Sequence, residues 1–245
     1  LYPKLKTFCG SYTKKLKPFY TDASWGGFED ILIKVITSNI FLTLIYKMIT
    51  MIFKYFKGPI DEMSDLVIEH SVCSICGKTD HCFELDYTIT NVFSDDEKDG
   101  KFGCYSCLKE GKFEFWHDTE FGMLDENGLS KVYKHNMDNP PFIAIEKLVE
   151  LRRTPQIITW QQELWLTHCD DFMIYKGTWE PKDFYSNSKD GNGKALFMSM
   201  TDKELNHLWD DSLPENETLL KEWYPTYYVF ACSHCGKMRG NWDCD

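Results

Sequence analysis

Positive charge is what this 245-residue chain has too little of: 27 Lys and Arg stand against 38 Asp and Glu, for a formal net charge of −11 at pH 7. The deficit is uneven. Residues 1–57 hold nine Lys and three acids, whereas the remainder holds 18 Lys and Arg against 35 acids. A body this acidic repels a phosphate backbone, so nucleic acid is not the expected partner. The first 20 residues lack the compact apolar run and small-residue cleavage site of a secretory signal. "KDGNGK" at 189–194 lacks the glycine spacing and the following helix of a phosphate loop. No internal repeat is visible beyond recurring C-x-x-C.

Hydrophobic residues make up 43% of the chain and aromatics 16%, enough to bury a folded core. The pattern along the chain is that of an α+β protein. "DILIKVITSNIFLTLIYKMITMIFKYF" at 30–56 is the most apolar part, and from Val35 to Phe53 only Lys47 is charged. Thr37, Ser38 and Asn39 lower its hydropathy, so it is read as a buried or surface-docked helix followed by a strand near Met51, rather than as a membrane span. Residues 1–50 form a basic and apolar N-terminal extension, residues 51–245 the main domain, and the turn-rich "FKGPIDEMSD" marks a boundary near Gly58-Pro59.

Within the main domain, "FELDYTITNVF" at 83–93 alternates as one strand, and "SDDEKDGK" at 94–101 follows as an acidic loop. A helix is expected behind Pro140 and Pro141, with Ile145, Leu148, Val149 and Arg152 on one face. A second starts in "TWQQELWLTHC" with Thr159 as N-cap and Gln162 completing a capping box. Residues 178–194 read as a long loop, "TDKELNHLWDD" as a helix from Thr201, and "YPTYYVFACSHCG" as a strand entering a turn.

Ten cysteines include three C-x-x-C pairs: Cys73 with Cys76, Cys104 with Cys107, and Cys232 with Cys235. Gly77 and Gly236 directly follow two of these pairs, which suits the tight turn of a zinc knuckle. Thiolates are soft ligands that Zn²⁺ takes in tetrahedral sets of four. Cys73, Cys76, Cys104 and Cys107 need the shortest loop closure to share one ion, with the chain between them as a ribbon hairpin. For Cys232 and Cys235, a second zinc needs two of His168, Cys169, His234 and Cys244. A redox couple is disfavoured because no βαβ pattern surrounds any pair, and reduced thiols on metal indicate a cytoplasmic protein. Four protein ligands leave no position for water, so such zinc is structural and no enzyme is expected.

On the expected helix, Trp160 and Trp165 pack the core, and the adjacent His168 and Cys169 point apart, which argues against a nucleophile and base pair. No catalytic residue is therefore assigned. The acidic stretches Asp95, Asp96, Glu97 and Asp99, then Asp170 and Asp171, and Trp209, Asp210 and Asp211, are the candidate partner surface.

"RTPQIITWQQELWLTHC" at 153–169, the three cysteine pairs, "FACSHCGKMRGNWDCD" and "FKYFKGPI" together resemble the CbrC family of bacterial proteins over residues 52–245. That family takes its name from a protein associated with tolerance to a colicin. The resemblance implies a cytosolic immunity-type protein that sits on a toxin, and an acidic surface would speed encounter with a basic one. Alternatives are a zinc-ribbon adaptor that binds a host protein, and a zinc-dependent enzyme. Two features depart from the family: the stretch before Met51, and "LKEGKFEFW" after the second cysteine pair.

Overall fold

In the computed structural model, residues 53–129, 142–201, 209 and 226–243 are described. The expected N-terminal helix, the strand near Met51, most of the helix from Thr201, and Asp210, Asp211 and Cys244 lie outside them. The fold is α+β, built from several small antiparallel sheets and short helices.

Two of the sheets are organised by the same turn. β1 (Leu66–Val72) and β2 (Thr79–Glu84) pair antiparallel up to Val72↔Thr79, and residues 73–78, "CSICGK", connect them. Residues 232–237, "CSHCGK", connect β12 (Thr226–Ala231) to β13 (Met238–Asp243), which pair up to Ala231↔Met238. Two strands that must reverse around a six-residue connection need one left-handed residue, and Gly77 and Gly236 supply it at φ 74° and 73°.

β4 (Phe102–Cys104) adds to the free edge of β2, with Cys82↔Cys104 in register, and leads into α1 (Tyr105–Lys109). The strand expected over 83–93 is interrupted. Its start belongs to β2, the chain turns at Leu85 to Tyr87, and β3 (Thr88–Thr90) joins β5 (Phe113–Phe115) in a different sheet. β6 (His117–Thr119), β7 (Gly122–Asp125) and β8 (Gly128–Leu129) form a third antiparallel sheet.

α2 (Ile145–Arg152) forms where expected, but its buried side carries Leu151, while Ile145 is 73% exposed. Arg152 and Arg153 reach from its end to Glu114 at 3.0 and 3.1 Å. The helix expected from Thr159 does not form, because partners distant in sequence take its backbone donors. Trp160 and Gln161 N–H donate to Asp243, and Trp165 N–H donates to the Asp118 carbonyl at 2.8 Å. The chain therefore runs extended into β9 (Thr167–His168). Trp165 is fully buried as expected, but Trp160 is 60% exposed, with its indole N–H on Thr226.

β10 (Asp171–Phe172) folds back on β9 and leads into β11 (Ile174–Thr178), which pairs with β12. The loop expected over 178–194 instead holds α3 (Pro181–Asn187) and the start of α4 (Gly193–Met200). Pro181 stands at the first helical position of α3, with Glu180 and Asp183 as reciprocal caps. Asn192 caps α4 by accepting from Ala195 N–H. A helix thus does follow "KDGNGK", although the phosphate-loop spacing is still missing. Phe184, Phe197, Met200, Trp209, Tyr227 and Val229 close the core beneath these helices.

Gly58-Pro59 is no domain boundary. Phe53, Tyr55 and Phe56 are buried on its N-terminal side, and Tyr55 and Lys57 exchange backbone bonds with Tyr175. Gly58 lies so close to the Tyr175 ring that a Cβ would stand 2.7 Å from it. Phe53 packs edge-on against Phe83 and Tyr105, and Tyr55 against Phe172, so this segment bridges the surroundings of both knuckles.

The extended 154–166 segment is pinned by one buried histidine–carboxylate hydrogen bond and its neighbours. His117 Nδ1 meets Glu163 Oε2 at 2.8 Å, its Nε2 faces the Thr154 carbonyl at 3.0 Å, and Glu163 Oε1 accepts from Ile157 N–H. Removing one partner of such a pair strands the other without water. Glu163→Ala is expected to lower unfolding stability by about 1–3 kcal/mol, read from urea denaturation midpoints. A loss below about 1 kcal/mol would show that the segment is held by packing alone.

Candidate metal centres

The first cluster is assembled by the β1–β2–β4 sheet. Cys73 and Cys76 lie in the knuckle, Cys104 ends β4, and Cys107 sits in the first turns of α1. The four sulfurs gather within 4.8 Å of one another. Cys73 Sγ stands 3.8 Å from Cys107 Sγ, and Cys76 Sγ 3.6 Å from Cys104 Sγ. These are not disulfide distances. Four sulfurs about 2.3 Å from a central ion sit about 3.8 Å apart at tetrahedral corners, so the spacing fits one Zn²⁺-sized cation.

Backbone amides complete the surroundings. Cys104 N–H donates to Cys73 Sγ at 3.2 Å, and Ser74 N–H to the Phe102 carbonyl at 2.7 Å, tying the knuckle to β4. Burial alone would raise the Cys73 thiol, but amide donors from Cys104, Cys76 and Ile75 outweigh it and bring it down to about 7. Burial pushes Cys104 and Cys107 up. Buried sulfurs this close cannot all ionise unless a cation joins them. Cys82, in the same sheet, is buried outside the set, and burial and the neighbouring thiols push it up to about 12.

The second cluster joins Cys232 and Cys235 to His168 and Cys169, again with all four ligand atoms within 4.8 Å. His168 Nδ1 lies 3.1 Å from Cys169 Sγ and 3.4 Å from Cys235 Sγ, and the two sulfurs are 3.9 Å apart. On a helix the side chains of His168 and Cys169 would diverge. Here they converge because Cys169 and Asp170 form a two-residue hairpin loop with φ of 55° and 54°, the backbone of a type I′ turn. Residues without glycine's freedom hold that conformation only under external restraint. Since β11 follows this hairpin and pairs with β12 at Ile174↔Ala231, the hairpin tip comes to rest beside the knuckle.

The second site differs from the first in exposure: Cys169 and Cys235 are exposed, whereas Cys73, Cys104 and Cys107 are buried. Burial raises the Cys232 thiol, but amide donors from Cys235 and His234, together with His168, bring it down to about 6. The amide of His234 donates to Cys232 Sγ at 3.4 Å. Its ring is not in the ligand set, and Nε2 instead meets Asp171 at 3.0 Å.

Asp171 is therefore not a partner-facing acid. It is 2% exposed and also receives Tyr55 Oη at 2.6 Å and Lys54 Nζ at 3.2 Å. Burial would raise its carboxyl, but Tyr55, His234 and Lys54 hold it below the usual carboxylate range. Trp209, 2% exposed, is core as well. Asp95, Asp96, Glu97, Asp99 and Asp170 are exposed; Asp95 pairs with Lys98, and Glu97 caps its own turn through Ser94. The bridging role of Asp171 went unread because its partners lie 63 or more residues away.

Two knuckles, two second pairs and an α+β scaffold define a cysteine-rich protein whose clusters can each hold a metal ion. The chain belongs to the uncharacterised protein family UPF0167, the CbrC-like family, whose model matches residues 51–244. No solved structure matches it.

Protein purified without added metal is expected to carry two equivalents of zinc by plasma mass spectrometry. Cys104→Ser should remove one equivalent and Cys169→Ser the other; an unchanged count in either variant refutes that site. Gly236→Ala forces a side chain into left-handed backbone at a cost of about 1 kcal/mol. It should therefore release zinc from the second site at lower chelator concentration than wild type, with the first site unaffected.

Proposed function

We propose that this is a zinc-organised, non-catalytic binding protein of the bacterial cytoplasm that neutralises a basic protein toxin by sitting on it. The observation that carries the binding reading is that two four-membered ligand sets absorb eight chemistry-bearing side chains, so that ions held there have no position left for water. Zn²⁺ is the ion that suits both a four-sulfur set and a three-sulfur, one-nitrogen set. Glu163, the acid of the Trp-Gln-Gln-Glu stretch, is buried and committed to His117 and Ile157.

The toxin as partner rests on the resemblance to the colicin-tolerance family, and charge supports it. The chain beyond residue 57 carries 35 acids against 18 Lys and Arg, and the turn at 94–99 exposes Asp95, Asp96, Glu97 and Asp99 together. Such a surface steers a cationic protein and repels nucleic acid. Asp170 adds a further exposed acid beside the second cluster. No helix among the described residues is long and apolar enough to cross a membrane, and the apolar run before residue 53 lies outside them.

Coexpression with the toxin encoded beside the gene tests the reading. The full chain should protect cells and bind the toxin, and replacing Asp96 and Asp99 with Lys should slow association at least about tenfold at low salt. A toxin that is neither bound nor detoxified would sink the proposal. Stable capture of a host protein without any protection would instead identify an adaptor.

A further inference from the structure

We propose that His70 and His81 form a third metal site, for one divalent transition cation of the Zn²⁺, Ni²⁺ or Cu²⁺ class, on the hairpin that carries the first knuckle. Neither histidine belongs to the two cysteine clusters. They meet where the β1–β2 register shifts: Ser71 stands opposite Asp80 and Val72 opposite Thr79, and in the irregular stretch between Val67 and Ser71 the ring of His70 comes beside that of His81. Side chains of adjoining antiparallel strands are neighbours, and both of these are long enough to bring their ring tips together.

The ring geometry favours a shared cation. His70 Nε2 and His81 Nε2 are 3.1 Å apart. Two imidazole nitrogens bound to one ion at about 2.0–2.1 Å lie about 2.9–3.4 Å apart, from right-angle to tetrahedral coordination. The ring centroids are 4.3 Å apart, with planes tilted by 59°. That separation is only a little larger than the gap between the nitrogens, so the rings lie side by side rather than end to end. In the absence of an ion the two nitrogens share a hydrogen bond, and a cation that takes the place of its proton finds both ligands already at coordinating distance. Neutral imidazole is the commonest protein ligand for this class of cation.

The position also leaves room for the rest of the coordination sphere. β1 is the edge strand of the β1-β2-β4 sheet, and His70, Val72 and Thr79 are exposed while His81 is half-buried. An ion held by two histidines there completes its shell with water, in contrast to the four-ligand sets formed by the cysteines. Such an ion is exchangeable. The site stands on the strand that delivers Cys73, three residues away, and its existence is independent of any toxin partner.

The test uses the full chain, loaded with zinc until uptake at the cysteine clusters is complete and then titrated with NiCl₂ by calorimetry. Wild type is expected to take up one further equivalent, at least about tenfold more tightly than His70→Gln or His81→Gln, with all three proteins carrying the same cysteine-bound zinc. Electron paramagnetic resonance with one equivalent of Cu²⁺ should show coupling to two nitrogens in wild type and the loss of that pattern in each variant. Equal Ni²⁺ affinity in wild type and both variants, or a copper spectrum unchanged by either substitution, would overturn the proposal. Because the readout is a difference between wild type and variants at exposed or half-exposed positions, it remains decisive whatever ion the cysteine clusters retain.

Discussion

Four thiol sulfurs brought within van der Waals contact inside a protein are stable together only if something compensates the charge they acquire on ionising. In the first cluster backbone amides provide part of that compensation, and the spacing of the sulfurs fits a divalent ion for the remainder. The β1–β2 and β12–β13 hairpins both reverse at a cysteine pair, closed by backbone bonds between the first cysteine and the residues behind the second, so the reversal of each strand pair also shapes its ligand set. Gly77 and Gly236 serve both ends, because the left-handed backbone that turns the chain also donates each glycine's amide to the first cysteine's carbonyl.

The two clusters differ in what holds them. The first is embedded in a sheet and surrounded by aromatic core, with Phe83 packed on Phe113 and Phe115. The second sits at the surface and depends on a left-handed hairpin at Cys169 and Asp170, braced by Asp171 through Tyr55, Lys54 and His234. That brace joins the start of the described chain to the knuckle near its end. Arg239 adds another, reaching Glu120 and the Thr167 carbonyl at 2.9 Å. A surface site maintained by long-range polar contacts is more exposed to chelators and oxidants than a buried one.

The acidic character of the chain has two different origins once the structure is considered. Some acids are internal fasteners: Glu62 accepts from Tyr175 and Thr178, Glu163 holds His117, and Asp171 holds Tyr55, Lys54, His234 and the Phe172 N–H. Others, at 94–99, face solvent and set the field that an approaching partner meets. Net charge counts both kinds alike, although only the second can act at a distance.

The cysteine pairs, the glycines behind them and the strand entering the last knuckle were legible in the sequence, because spacing and turn chemistry are local properties. The four-cysteine set followed from loop length in the same way, and Pro181 with its capping acids carried a readable helix signal that alternation and loop-like composition obscured. The path of residues 159–169 was decided elsewhere. Its pattern of Trp, Gln and Leu favours a helix, but Asp243 and the Asp118 carbonyl claim its amides and the His117–Glu163 pair claims its acid, so the tertiary structure draws it out into strand. Only that extended course turns His168 and Cys169 toward Cys232 and Cys235. The sequence by itself determined which side chains can bind a metal; the pairing of distant strands determined which of them meet, since partners dozens of residues apart leave no local trace.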